Sequence, residues 1–272
     1  MDAYAGEGRL PRHRLLALLA DASGTPAVVI SAAAGSGKST LAAQWAAEDI
    51  RPHAVVRLAP HLDDMAALGH LLVDALEGFG APVPRTRAVV TGAEPEFSAV
   101  LLPALREMTA SRTEAFVLVV DDVHLLHLPG CHQLLAAVYE GVPSGSTIAL
   151  LTRDATPEWL ARARAEGRLV EVRDLALDHD EAAQLFTGIG APADGPALAE
   201  ALDSSEGWAV GLYLAALAGR DGHGTTTGDF RRYLGDYLQS QVLDTLTPDQ
   251  VTFLLQTSVL EELDGPLCNA IT

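Results

Sequence analysis

The most constraining feature of the sequence is a glycine-rich run at residues 31–40, SAAAGSGKST, which follows a short apolar stretch and precedes a helical pattern. It contains Lys38, the only lysine of the chain, whereas every other strongly basic residue is an arginine. Arginine presents a broad planar fork, but a phosphate-binding loop needs a compact ammonium that acts as a point charge. Backbone N–H groups at a helix N-terminus also favour a bound anion. The run therefore predicts a strand–loop–helix unit that binds a nucleoside triphosphate.

Within this P-loop each residue type has an expected task. Gly35 and Gly37 allow the backbone to approach the phosphates closely, Lys38 reaches the β- and γ-phosphates, and the Ser39 hydroxyl holds Mg²⁺. Ala32 departs from the pattern because it stands where the motif has its first glycine. The residues nearest the phosphates are nevertheless intact. The predicted nucleotide-binding residues are Ala34, Gly35, Ser36, Gly37, Lys38, Ser39 and Thr40.

A second motif is the apolar run FVLVV at residues 116–120, which is followed directly by Asp121 and Asp122. A buried strand of this kind delivers a carboxylate to the end of the sheet where the phosphate loop lies. We expect Asp121 to hold Mg²⁺ through water. Asp122 is then placed to orient or activate a water molecule at the γ-phosphate, so we predict it to be catalytic.

A third motif, LTR at residues 151–153, ends another apolar run. In P-loop folds that insert a strand between the loop strand and the Mg²⁺ strand, the inserted strand points its end at the γ-phosphate. We therefore predict that Arg153 is a catalytic residue that detects the terminal phosphate. The alternative is a solvated arginine at the end of a strand.

Five short runs of β-branched and other apolar residues, separated by helical patterns, predict an α/β fold. Continuous apolar strands of this kind are typical of a parallel sheet covered on both faces. We therefore expect a P-loop NTPase fold with a five-stranded parallel sheet and one strand inserted between the Walker A and Walker B strands. The predicted strands are residues 27–31, 54–58, 115–120, 147–152 and 169–173; the helices lie near residues 12–20, 39–48, 63–79, 96–110, 131–140 and 157–166.

After residue 175 the strand pattern stops and helical patterns continue alone. Asp178, followed three residues later by Glu181, predicts a capping box at the start of the next helix. Residues 78–95 and 219–228 are rich in glycine and proline or in glycine and threonine, which is typical of loops. The helices of this second region are expected at residues 181–187, 196–204, 208–217, 233–246 and 248–257.

Composition restricts the partners of the chain. Its formal net charge of −18 repels nucleic-acid phosphates and anionic lipids, so we expect no direct DNA or membrane binding by this region. Two cysteines without a spacing motif fit a reducing cytoplasm. The histidines and the cysteine that follow the Mg²⁺ strand are explained better by packing and capping than by a zinc site. These residues are His124, His127, Cys131 and His132.

Taken in order, the three motifs resemble the STAND class of signalling ATPases, and within it the large ATP-binding, LuxR-type (MalT-like) transcriptional regulators. The likeness extends beyond the P-loop to nearly the whole chain. Residues 206–217, EGWAVGLYLAAL, are similar to a helical-domain signature of the group. Residues 253–268, FLLQTSVLEELDGPLC, are similar to the opening of its winged-helix domain. These two segments are more specific than a P-loop alone.

The resemblance implies three domains: a nucleotide-binding domain at 1–175, a helical domain at 176–243, and the beginning of a truncated winged helix at 244–272. It also implies a cytoplasmic ATP/ADP switch with Mg²⁺ and weak ATPase activity, which self-associates in its ATP state. DNA would be bound only through a C-terminal helix-turn-helix that this sequence lacks. The segment at 10–14 would lie near the base, and Trp208 would either cover the base or, as we favour, pack in a core.

Two other functions remain open from the residues. The chain could be a P-loop kinase or fast ATPase that acts alone, although its second region offers few arginines for a lid over the phosphates. It could also be an interaction module whose nucleotide is structural. The sequence identifies neither an inducer nor a target promoter.

Overall fold

The computed structural model describes residues 10–80, 97–220, 228–241, 243, 246–260 and 263–271. The chain divides into two compact units, Met1–Leu177 and Asp178–Thr272, which are described separately. Most of the loops predicted at 78–95 and 219–228 lies outside the described residues. In the described part of the chain, no helix combines the length and the apolar character that crossing a bilayer requires.

The first unit is built on a five-stranded sheet in which every pair of neighbours is parallel. The strand order is β2-β3-β4-β1-β5. Strand β4 therefore separates β1, which leads into the P-loop, from β3, which carries the aspartates. This order confirms the predicted fold class. The strands are β1 (Ala27–Ser31), β2 (His53–Arg57), β3 (Val117–Asp121), β4 (Thr147–Thr152) and β5 (Leu169–Val172).

Helices cover both faces of this sheet, which explains why the central strands are apolar at nearly every position. One face packs against α1 and α2 through residues such as Leu19, Leu41 and Trp45. The other face packs against α3, α4 and α5. The helices of the unit are α1 (His13–Asp21), α2 (Lys38–Glu48), α3 (Met65–Glu77), α4 (Phe97–Ala110), α5 (Pro129–Gly141) and α6 (Ala161–Ala165); short 3₁₀ turns span Pro60–Leu62, Val123–Leu125 and Glu158–Leu160.

The second unit is helical throughout its described residues. Asp178 and Glu181 form the predicted capping box, in which each side chain accepts a hydrogen bond from the other's backbone N–H. Trp208 packs edge-on against Tyr237, with 5.6 Å between the ring centroids. The helices are α7 (His179–Ile189), α8 (Pro196–Ser205), α9 (Ala209–Arg220), α10 (Gly228–Gln241), α11 (Pro248–Thr257) and α12 (Gly265–Ile271).

Candidate nucleotide-binding site

The P-loop turns between β1 and α2 through two glycines in the left-handed region. Gly35 has φ 71° and Gly37 has φ 91°. A side chain in this conformation costs roughly 1–2 kcal/mol, which explains the glycine requirement. Ala32 is not among the residues with positive φ, and its N–H donates to the Thr152 carbonyl at 3.2 Å. Alanine is therefore compatible with this position because the chain there still follows the sheet.

Lys38 opens α2 and is only 7% exposed. Its Nζ donates hydrogen bonds to the carbonyls of Ala32, at 2.7 Å, and Ala33, at 2.9 Å. Burial and the nearby charge of Arg153 lower the Lys38 pKa, whereas the carboxylates of Asp121 and Asp122 oppose this shift. The ammonium thus stands inside the loop, among carbonyls and within electrostatic reach of both aspartates and a second cation.

Ser39 and Asp121 meet at the edge of the sheet. The Ser39 hydroxyl donates to Asp121 Oδ2 at 2.6 Å, although 82 residues separate the two in sequence. Asp121 is 2% exposed, and its other carboxylate oxygen accepts the backbone N–H of Asp122 at 2.9 Å. Arg57 Nε lies 3.9 Å from Oδ2. A hydroxyl and a carboxylate in contact form the all-oxygen set that Mg²⁺ prefers, so these two residues fit this ion.

Asp122 follows β3 in the left-handed conformation, with φ 63°, which is uncommon for a residue other than glycine. It begins the 3₁₀ turn Val123–Leu125, and its carbonyl accepts the N–H of Leu125 at 3.0 Å. Its Oδ1 lies 3.9 Å from Nδ1 of His124. This turn directs the chain away from the sheet immediately after the second aspartate.

Arg153 follows β4 and is exposed. Its charge contributes to lowering the pKa of both Lys38 and His124, which shows that all three side chains share one electrostatic environment. Ser36 Oγ is buried and has no hydrogen-bond partner among the described residues. A buried hydroxyl without a partner inside the loop is suited to donate a hydrogen bond to a bound anion. The predicted residues of β1, β3 and β4 therefore converge at one end of the sheet.

The resemblance placed the segment at 10–14 near the base, but the sequence did not predict the individual contacts that this segment makes. Arg12 is 5% exposed, and its Nη2 donates to the carbonyls of Leu175 and Ala176 at 2.8 and 3.2 Å. Gln44 Oε1 accepts the Arg12 N–H at 3.1 Å, and Gln44 Nε2 donates to the Leu10 carbonyl at 2.7 Å. A Cβ at Gly37 would lie 3.9 Å from Arg12 Nη1. These hydrogen bonds hold the segment before α1 next to the P-loop.

Beyond β3, His132 and Cys131 contact different groups. His132 Nε2 lies 2.9 Å from the Leu126 carbonyl. Burial, with the charge of Asp63, raises the pKa of Cys131 to about 11, so its thiol stays protonated at neutral pH. Within the described residues, no three His, Cys, Asp or Glu side chains gather in a group that could hold a metal ion.

Two comparisons link the sequence to characterised proteins. The family model described as the MalT winged helix domain matches residues 239–272. Two HTH-type transcriptional regulators MalT, from two strains of Klebsiella pneumoniae, are each 28% identical over 278 residues. These alignments cover 98% of this chain and 31% of each relative. The chain therefore spans about a third of the length of these curated relatives.

Solved structures resemble the chain in fold. A Walker-type ATPase of Pyrococcus abyssi has a TM-score of 0.60 at 15% identity, covering 92% of this chain and 80% of that one. The Orc1 protein of Aeropyrum pernix, solved in complex with DNA, has a TM-score of 0.55 at 16% identity, covering 94% and 74%. Such low identities establish the P-loop ATPase fold alone. The chain therefore has the fold of P-loop ATPases, and its sequence is similar to MalT over nearly its whole length, including a segment that matches the MalT winged-helix model.

Proposed function

We propose that this chain is the ATP-binding and slowly hydrolysing switch of a MalT-like transcriptional regulator. The single observation that carries the proposal is the contact between the Ser39 hydroxyl and Asp121 Oδ2 at 2.6 Å, beside the buried Lys38 ammonium. It joins the P-loop to the end of β3 with the atoms that a magnesium nucleotide needs. The sequence similarity to MalT supports the regulatory setting.

Each residue has a defined task when Mg-ATP binds. Lys38 exchanges the carbonyls of Ala32 and Ala33 for phosphate oxygens, and the N–H groups at the start of α2 donate to the same anion. Ser39 and Asp121 would hold a magnesium ion, which would supply neutralisation of the phosphate charge. Asp122 accepts a hydrogen bond from the attacking water and orients it.

Contacts to the γ-phosphate are strong enough to drive a switch. Moving a two-state protein from mostly off to mostly on takes about 5.5 kcal/mol of differential affinity. A hydrogen bond to a charged group contributes roughly 1.5–3 kcal/mol. Lys38 and Arg153, together with the metal ligands, therefore supply a free energy of the required size. We propose that ATP and ADP thereby favour different domain packing and different self-association.

The remaining activities of such a regulator belong to other parts of a longer protein. The net charge of −18 disfavours direct contact of this region with DNA. We propose that promoter DNA is bound by a C-terminal helix-turn-helix outside this chain, and that the whole protein acts in the cytoplasm.

Sedimentation velocity with and without nucleotide tests the switch. We expect the chain with Mg-ATP, or with a slowly hydrolysed analogue, to sediment as a larger species than with Mg-ADP. Asp122→Asn, which retains the binding residues, should keep the ATP-dependent species for longer than the wild type. Identical sedimentation with ATP, with ADP and without nucleotide would refute the switch. Multiple turnover at about 10 per second or faster would instead support an enzyme that acts alone.

A further inference from the structure

His124 carries a buried nitrogen with no assigned task. Its Nδ1 has no hydrogen-bond partner among the described residues and is shielded from solvent, while the side chain as a whole is 13% exposed. Buried polar atoms without partners are rare because each costs roughly 1–3 kcal/mol. Oδ1 of Asp122 lies 3.9 Å from this nitrogen. That distance is too long for a hydrogen bond and short enough to become one after a small side-chain rotation.

The backbone restricts both members of this pair. Asp122 has φ 63°, and the 3₁₀ turn Val123–Leu125 follows at once. The Leu125 N–H closes the turn on the Asp122 carbonyl at 3.0 Å, and the N–H of Leu126 closes the next one on Val123. His124 is therefore held two residues from the carboxylate that it faces. A left-handed residue other than glycine costs free energy, and such residues cluster at turns and functional sites.

The charges around the imidazole are mixed. Arg153 and Lys38 repel a proton on the ring, whereas Asp122 and Asp154 attract one. Burial is the largest influence, and the net effect lowers the His124 pKa. A neutral imidazole carries one N–H, which can donate, and one free nitrogen, which can accept. Only the tautomer with hydrogen on Nδ1 gives the Asp122 carboxylate a donor.

We propose that His124 is a positioning residue that donates its Nδ1–H to Asp122 Oδ1 and so turns the other carboxylate oxygen toward the attacking water. Asp122 otherwise lies within electrostatic reach of the Lys38 ammonium, which can draw the carboxylate away from the water. One hydrogen bond to the outer oxygen restricts this freedom without occupying the oxygen that accepts the proton. The inference rests on the proposed hydrolytic role of Asp122.

Three substitutions separate this task from packing. In His124→Asn the amide nitrogen is bonded to Cγ, as Nδ1 is in histidine, so a donor remains at nearly the same place. In His124→Gln the amide is displaced by one carbon atom, toward the position of Nε2. His124→Phe keeps the ring shape and removes both nitrogens. Single-turnover hydrolysis with protein in excess over ATP measures the chemical step, and calorimetry measures the Kd for Mg-ATP.

We expect the single-turnover rate to fall about ten- to a hundredfold in His124→Phe and His124→Gln, the size that one hydrogen bond to a charged group implies. The rate should stay within about threefold of wild type in His124→Asn, and the Kd should change little in all three. In an Asp122→Asn background, His124→Phe should have no further effect, because the group it positions is gone. Thermal unfolding checks that each variant is folded, and the Asn–Gln comparison stands even if the Phe variant is not.

The outcomes divide clearly. An unchanged rate in both His124→Gln and His124→Phe would overturn the inference, as would a rate in His124→Asn as low as in His124→Gln. Additive losses in the double variant would show that His124 acts elsewhere. Wild-type protein that binds Mg-ATP but never hydrolyses it would remove the inference and leave ATP binding standing. Wild-type protein that fails to bind Mg-ATP would refute the proposed function itself.

Discussion

Replacing Lys38 by methionine tests the basis of the nucleotide site. Methionine keeps an unbranched apolar stem and removes the ammonium, so packing around the first turn of α2 is largely preserved. The substitution removes the two hydrogen bonds that the ammonium donates to the carbonyls of Ala32 and Ala33. Those residues are partly or fully exposed, so water replaces the lost donor. The change therefore acts mainly on anion binding.

The two effects differ in size. Burial lowers the Lys38 pKa, so removing the charge relieves a desolvation cost that offsets much of the lost hydrogen bonding. Without nucleotide, we expect the free energy of unfolding to differ between wild type and Lys38→Met by about 1 kcal/mol or less. A ligand present at 100 times its Kd stabilises the folded protein by about 2.7 kcal/mol. For a unit of this size, that corresponds to roughly 5–11 °C in the midpoint of thermal unfolding.

Scanning calorimetry of wild type and Lys38→Met, each with and without Mg-ATP at about 100 times the wild-type Kd, measures both effects. Arg106→Met on α4 removes a different, solvent-exposed cation and serves as the matched control. We expect wild type and the control to shift upward with Mg-ATP, and Lys38→Met not to shift. An equal shift in Lys38→Met would contradict the assignment of the loop as the phosphate site.

Three further predictions concern stability. Gly141→Ala should destabilise the first unit by roughly 1–3 kcal/mol in urea unfolding, because the added Cβ would lie 2.8 Å from a side chain on the facing helix. Gly188→Ala, by contrast, should stabilise the second unit by about 0.5–1 kcal/mol, because the space around Gly188 is open. Hydrogen bonding by Arg164, and less by its other partners, lowers the Glu171 pKa from 4.5 to about 2, so this carboxylate contributes stability above pH 4.5 that is lost as pH falls toward 2. Glu171→Gln should therefore lose less stability than Glu158→Gln between pH 5 and about 2.5 in acid titrations. Arg12→Met should lower the midpoint of thermal unfolding, since two carbonyls lose their donor.

The sheet could be predicted from sequence because its central strands are buried on both faces. Strands β1 and β4 begin and end at the predicted residues, and their apolar runs are bounded by polar or glycine-rich segments. Strand β3 begins two residues later than predicted. Phe116 lies before it and stacks on Phe79, with 4.5 Å between ring centroids. An apolar run alone does not distinguish pairing in a strand from packing beside one.

The residues of the candidate site were predictable where a motif fixes their spacing. Lys38 and Ser39 follow from the loop pattern, and the aspartates follow from the end of an apolar strand. The contacts of Arg12 and Gln44 were not predictable, because they join segments 32 and more than 160 residues apart through single side chains. From the sequence, His124 was assigned to local packing or capping rather than to a zinc site. The short distance between His124 and Asp122 depends on a turn with a left-handed residue, which no sequence pattern predicts.

The order of the strands, more than the loop itself, explains why charges of both signs meet at this site. Because β4 lies between β1 and β3, Arg153 emerges between the Lys38 loop and the aspartates. Burial and then the charge of Arg153 lower the Lys38 pKa, and the two aspartates act against this shift. Two cations held close together gain when an anion arrives, and two carboxylates gain when a metal ion arrives. A magnesium triphosphate brings both at once, so this arrangement favours the complex of metal and nucleotide over either component alone.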